Sequence, residues 1–247
     1  MGFLSLAHME AYLSKSLTSL NQNKLNGLRA EIDFRTLIAK LGFERRVSAG
    51  GWLLRNTRGN FGHHIVAVFP HVIEPNRDYS GTPTTSNIPT NLHTICATFN
   101  QLGIKSYYAH PIIDSAGAIE WKFVRLGVPH IDSFVSATDL IAGFHKRPRH
   151  YNFLRYQTDA SQIDRVHLPD EFSKENLRIF LSSLIMCEIV DIDGIIWGER
   201  HTYPIEIKEK TAAPDPNMGE FFGLDVGPFV KLAFYAAKKE IFTPCLS

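Results

Sequence analysis

The sequence predicts an α/β fold, a central mixed β-sheet with helices on both sides and a long insertion. Three observations lead there. Apolar residues recur at helical spacing near the start of the chain and again towards its end. The C-terminal third carries a hairpin pattern, Ile189–Trp197 and Thr202–Lys208 around the loop Gly198–His201. The length of 247 residues, with 44% apolar and 21% charged residues, suits one domain without repeats, low-complexity tracts or linkers.

Each element has its own warrant. Residues 3–20 place Leu6, Met9, Leu13, Leu17 and Leu20 on one helical face, and the polar stretch Asn21–Asn26 ends it. A second helix is expected from Leu25 to Leu41, with Phe34, Leu37, Ile38 and Leu41 facing the core and Gly42 as its C-cap. Phe43–Ser48 and His64–Phe69 read as strands, and 75–91 as a long Pro/Thr/Ser loop. Leu92–Leu102 reads as a helix ending at Gly103. Ile104–Ile113 and Ala118–Leu126 read as strands about the turn Ser115–Gly117. Residues 145–169 are irregular. Ser173–Met186 is expected as a helix capped by Ser173, and Phe229–Lys239 as the last helix.

The charge balance is +1, with Lys plus Arg 26 and Asp plus Glu 25, which excludes a tail-driven, histone-like binder. Local basic patches on a nucleic-acid enzyme remain compatible with it. Three cysteines without a Cys-x-x-Cys pair exclude a zinc ribbon or a disulfide scaffold and suit a reducing cytoplasm. The first 20 residues lack a basic n-region and an unbroken apolar core, so no signal peptide is expected. No apolar run reaches the roughly 18 residues of a membrane span.

The hairpin carries the chemistry. With Gly198–His201 as its loop, Trp197 pairs with Thr202, Asp193 with Glu206 and Asp191 with Lys208. Period-two alternation then puts Asp191, Asp193, Glu206 and Lys208 on one face, and Ile192, Ile196, Ile205 and Ile207 on the other. Carboxylates so close repel unless a cation lies between them, and oxygen-only ligands select Mg²⁺, with Mn²⁺ as the alternative. Such an ion activates water and polarises a phosphoryl oxygen, while Lys208 orients the water or offsets growing charge. The same spacing also describes a solvated hairpin with an exposed Asp191–Lys208 pair.

Asp193-Gly194 followed by Ile205-Glu206-Ile207-Lys208 resembles the active site of the PD-(D/E)XK nuclease superfamily. Gly27-x-x-x-Glu31, followed by Leu37, Leu41 and Gly42, resembles that superfamily's first core helix and its active-site glutamate. Lys231-x-x-x-Tyr235 is similar to the Gln-x-x-x-Tyr pattern of some members, with Lys in place of Gln. Ile192 stands where the family name has Pro. The resemblance implies a restriction-endonuclease-like core drawn from about 24–48 and 173–240, with 49–172 as an insertion for DNA recognition. It implies catalytic roles for Asp193, Glu206, Lys208 and Glu31, metal ligation by Asp193, Glu206 and the Ile207 carbonyl, and supporting roles for Asp191, Lys231 and Tyr235. Whether Asp191 or Asp193 is the main ligand stays open. Glu31 also shares a helical face with Phe34 and Ile38, where a carboxylate is costly unless paired or near a metal.

A second Glu-x-Lys, Glu120 and Lys122 with Asp114, reads instead as a structural hairpin. Basic residues cluster at Lys146, Arg147, Arg149 and Arg155, interleaved with Tyr151 and Phe153, and at Arg45, Arg46, Arg55 and Arg58. Both clusters suit phosphate contact, and arginine also reads guanine edges. His63, His64 and His93 read as structural. The expected function is Mg²⁺-dependent cleavage of double-stranded DNA by a homodimeric, type II restriction-endonuclease-like protein, with no membrane partner. A structure-specific repair, recombination or phage nuclease, and a non-catalytic nucleic-acid-binding protein of the same fold, are the alternatives.

Overall fold

The computed structural model describes residues 2–43, 46–47, 50–56, 65–101, 103–129, 133–147, 150, 154–197, 202–205, 207, 213–217 and 219–221. Five helices of α type lie among them: α1 (Leu6–Ser16), α2 (Gln22–Lys40), α3 (Thr90–Gln101), α4 (Thr138–Ile141) and α5 (Leu168–Leu184). The strands are β1 (Gly51–Asn56), β2 (Ile65–Pro70), β3 (Lys105–Ile113), β4 (Ile119–Leu126), β5 (His145–Lys146), β6 (Ile185–Ile192), β7 (Gly194–Trp197), β8 (Thr202–Ile205), β9 (Ala213–Asp215) and β10 (Gly219–Phe221).

Six strands form one sheet in the order β4-β3-β2-β1-β6-β5. β2 and β3 are parallel, joined through α3, and the other neighbours are antiparallel, so the sheet is mixed. Alternation sorts its side chains to two cores. On one face Leu54, Val66, Val68, Tyr107 and Phe123 pack with residues of α1, α2 and α5, among them Met9, Leu28 and Leu177. On the other, Ala67, Phe69 and Tyr108 pack with Leu92, Ile95, Cys96 and Phe99 of α3. No described helix is long and apolar enough to cross a membrane.

Local chemistry explains the boundaries, including several that differ from expectation. Asn21 does not break a helix but caps one, its side chain accepting from Lys24 N–H at 3.0 Å. Gly42, at φ +75°, ends α2 in the left-handed conformation that a side chain disfavours. The buried residues of α2 are Leu25 and Leu28, whereas Leu37 and Leu41, expected in the core, are 53% and 58% exposed. Val47 makes only an isolated bridge to Ile196, so no strand is seen among the described part of Phe43–Ser48. Ser173 is no N-cap: α5 starts at Leu168 with Pro169 in its first turn, and the Ser173 hydroxyl donates to Pro169 O at 2.6 Å. It also accepts from Ile73 N–H at 2.8 Å, tying the helix to the chain beyond β2. The expected helix Phe229–Lys239 lies outside the described residues.

Candidate functional site

The predicted strand Ile189–Trp197 is two strands, β6 and β7, separated at Asp193. β6 is paired to β1 from Cys187 to Ile192, with Trp52 opposite Asp191 and Gly51 opposite Ile192. The break shifts the alternation. Ile192 and Ile195 are both buried, at 1% and 0% exposure, and Ile196 is only half-buried, which corrects the expected two faces of the hairpin. The β7–β8 register does coincide with the one the sequence suggests, Trp197 opposite Thr202 and Gly194 opposite Ile205. Just beyond it, Ile207 N–H donates to Asp193 Oδ2 at 2.5 Å, so Asp193 faces the segment that follows β8.

Asp191 projects on the α5 side of the sheet, as the packing of its same-face neighbours Ile189 and Cys187 shows. Its Oδ1 is shielded from solvent and has no hydrogen-bond partner among the described residues. Burial pushes its pKa up to about 6; Glu31 and Glu171 push the same way, and Lys174 and Lys24 only partly offset them.

Two helices supply the counter-charges. Lys174 of α5 places Nζ 3.0 Å from Glu31 Oε2 and 3.7 Å from Asp170 Oδ2, with its side chain 4% exposed. Burial alone would depress the lysine, but Asp191, Asp170 and Glu31 outweigh it and hold Lys174 above the ordinary lysine range. Arg35 stands one turn beyond Glu31 on α2, and its guanidinium reaches Glu31 and Asp170, both at 3.2 Å. Burial opposes the charge of Arg35, yet Asp170, Glu31 and Asp193 raise its pKa on balance. Burial likewise opposes ionisation of Asp170, but Lys174 and Arg35 pull its pKa down. Glu31, Asp170, Lys174, Asp191 and Asp193 thus form one electrostatically coupled group at one end of the sheet.

The backbone makes room for it. A Cβ on Gly50 would lie 2.8 Å from Lys174 Cε and 3.0 Å from Ile192 O, so any larger residue there would push against the lysine and the β6 backbone. Trp52 Nε1–H donates to Lys174 O at 3.1 Å and holds α5 against β1.

Of the residues singled out in the sequence, Glu31, Asp191, Asp193 and Ile207 fall in this region. Glu206, Lys208, Lys231 and Tyr235 lie outside the described residues. Lys174, Asp170 and Arg35 were missed. Their signal is charge on an apolar stripe: Glu171, Lys174 and Glu175 are buried with Leu168, Phe172 and Leu177 on the same helix. The second Glu-x-Lys hairpin is a surface feature. Asp114 Oδ1 accepts from Ala116 and Ala118 N–H at 2.8 and 2.9 Å, and Glu120, 59% exposed, pairs with Lys122 at 2.5 Å.

The basic residues divide. Lys146 is exposed on β5 at the sheet edge, beside Arg147. Arg155 is exposed, its guanidinium 5.1 Å from the Tyr156 ring centroid, and Arg46 is exposed over Phe43. Arg55, expected as a phosphate contact, is half-buried and forms a cross-strand ion pair with Glu188, with Nε at 2.9 Å. Arg45, Arg58 and Arg149 lie outside the described residues. Comparison of the chain with protein-family models, curated proteins and solved structures found no match.

Proposed function

We propose that the chain is a divalent-metal-dependent endonuclease with a restriction-endonuclease-like core, and that it cuts double-stranded DNA at a specific sequence as a homodimer in the cytoplasm. The observation that carries this reading is the shielded, unpartnered Oδ1 of Asp191 next to Asp193. A buried carboxylate oxygen without a donor is costly, and a hard cation removes that cost. Two aspartates and the Ile207 carbonyl fit such an ion by donor chemistry, with Glu206 as the further ligand the motif implies. Bound Mg²⁺ or Mn²⁺ would lower the pKa of a water and polarise a phosphoryl oxygen.

The chain's own groups do the rest. Asp193 and Asp191 would hold the ion, and Ile207 N–H fixes the orientation of Asp193. Lys208 orients the attacking water. Glu31 stays at the site through Lys174 and Arg35, and the exposed Lys146, Arg155 and Arg46 contact phosphates. One observation favours a second reading. Lys174 already stands among these carboxylates, as it would in a DNA-binding protein that keeps the arrangement for stability alone.

Incubation with phage DNA and Mg²⁺ separates the readings. Discrete fragments, lost in Asp193→Ala while DNA binding in Ca²⁺ persists, support a sequence-specific nuclease. Cutting at branched or damaged DNA only points to a structure-specific enzyme. Binding without cleavage and without metal uptake supports the non-catalytic reading.

A further inference from the structure

Helix α2 is buried through Leu25 and Leu28, yet it carries a second apolar stripe on its opposite side. Gly27, Ala30, Phe34, Leu37 and the C-cap residue Leu41 follow one another at spacings of 3, 4, 3 and 4. At about 100° per residue, these five fall within an arc of roughly 80° whose middle points away from Leu25 and Leu28. A 3-4 repeat of this kind is the seam along which two helices interdigitate.

The stripe is open. Leu37 and Leu41 are 53% and 58% exposed, and Phe43 just beyond them is 47% exposed. A Cβ on Gly27 would meet nothing within 4 Å. Three large apolar side chains gathered at one helix end exceed the single, scattered exposures that a surface ordinarily carries.

Charge decides what fits it. Asp33 and Lys40, one heptad apart and both exposed, stand on one flank of the seam, and Glu31 and Ile38 stand on the other. Glu31 is turned inward to Lys174 and Arg35, whereas neither Asp33 nor Lys40 has a partner among the described residues. A second α2 laid antiparallel brings the first flank against its own copy. Asp33 then meets Lys40 of the second copy, and Lys40 meets its Asp33. The same register sets Phe34 opposite Leu37 of the second copy and Ala30 opposite its Leu41, so that small faces large at the ends of the seam. A parallel copy would instead set Asp33 beside Ile38 and leave the acid unpaired.

We propose that two copies of this chain associate through an antiparallel α2–α2 seam closed by two reciprocal Asp33–Lys40 pairs. Such a contact uses the same patch on both copies, so assembly stops at the dimer. The proposal rests on the homodimer of the nuclease reading and gives it a surface, but needs none of its metal chemistry. One helix pair buries less than about 1,200 Å², so the dimer is reversible.

Sedimentation velocity of the whole chain across a concentration series, at low salt, reads the association directly. The parent is expected to move towards twice the monomer mass as concentration rises. Asp33→Lys sets cation against cation twice per dimer, and Lys40→Asp sets acid against acid. Each variant alone should associate at least about tenfold more weakly than the parent. An equimolar mixture of the two should recover parent-like association, because each copy supplies the charge the other lacks. Leu37→Asp should be monomeric, alone and in either mixture. All three positions are exposed, so circular-dichroism melting curves like the parent's are expected. A parent that stays monomeric, with Leu37→Asp melting at lower temperature, marks a stripe covered by the chain's own residues and overturns the proposal. Charge-dependent association without DNA cleavage keeps the seam and overturns the nuclease reading. DNA cleavage by a parent that is monomeric, or whose dimer ignores both charge changes, overturns the seam and leaves the nuclease.

Discussion

Lys174 Nζ lies 3.0 Å from Glu31 Oε2, joining helix α5 to helix α2 in a place where the two side chains are 4% and 12% exposed. Removing one partner of a buried pair leaves the other charge uncompensated, at a cost of about 3–5 kcal/mol. Lys174→Met is therefore expected to lower the urea midpoint sharply. The exposed pair Arg29–Asp164, at 48% and 50% exposure, is the control: Arg29→Ala should cost less than about 1 kcal/mol. Equal effects of the two variants would show that the ammonium at Lys174 holds nothing together.

Asp191 makes stability depend on pH. Its pKa rises from 3.8 to about 6 on folding, so the native state holds the proton more tightly than the unfolded chain. The gain is full below the unfolded pKa and is lost as pH rises through about 6. Asp191→Asn removes this dependence. Urea titration at about pH 4 should find the variant close to the parent, and at about pH 8 more stable by a few kcal/mol. The same variant should lose DNA cleavage, a trade of function for stability.

The two Glu-x-Lys segments are separable by substitution. Lys208→Ala should reduce cleavage by about 100-fold or more, with little change in melting temperature. Lys122 pairs with an exposed glutamate, and Lys122→Ala should leave cleavage intact and change stability by less than about 1 kcal/mol. The opposite result would move the site to Asp114, Glu120 and Lys122.

For DNA affinity, Lys146→Ala and Arg155→Ala should each lower the salt slope by about one if they meet phosphates. At least one of Lys146, Arg147, Arg149 and Arg155 should instead read a base, costing roughly 1–3 kcal/mol at one position of the site. Arg55→Ala should leave the slope unchanged and lower thermal stability, because it removes the cross-strand ion pair with Glu188. Filter binding to two duplexes at two salt concentrations distinguishes these outcomes.

Elements with strong local signals were readable from the sequence. The β3–β4 hairpin turns on Gly117 at φ +82° and on Asp114, whose side chain caps the turn. The β7–β8 register followed from the alternation and a four-residue loop. Elements set by tertiary packing were not readable. β1 is buried from Gly51 to Leu54, so it shows no alternation and was passed over, although it is the strand that binds β6. Ser173 carries an N-cap signal, but its hydroxyl instead bonds back to Pro169 O one turn earlier and accepts from Ile73 N–H, a contact between residues 100 apart that no local rule foresees. The same holds for the site. Asp191, Asp193 and Glu31 were found as residue types in a pattern, whereas the role of Lys174 comes from burial between partners distant in sequence. Arg55 looked like one of a basic run until strand pairing placed Glu188 across from it.

The pairing of residues 51–56 with 187–192 has a consequence for how the protein is made. Closing so long a loop is slow, because its chain entropy is spent before any contact between the two strands forms. Helix α1 and the β3–β4 hairpin need only near neighbours and can form while the chain is still being synthesised. Asp191 and Asp193 meet Glu31 and Lys174 only once β6 has left the ribosome and found β1. A nascent chain shorter than that has no assembled carboxylate group.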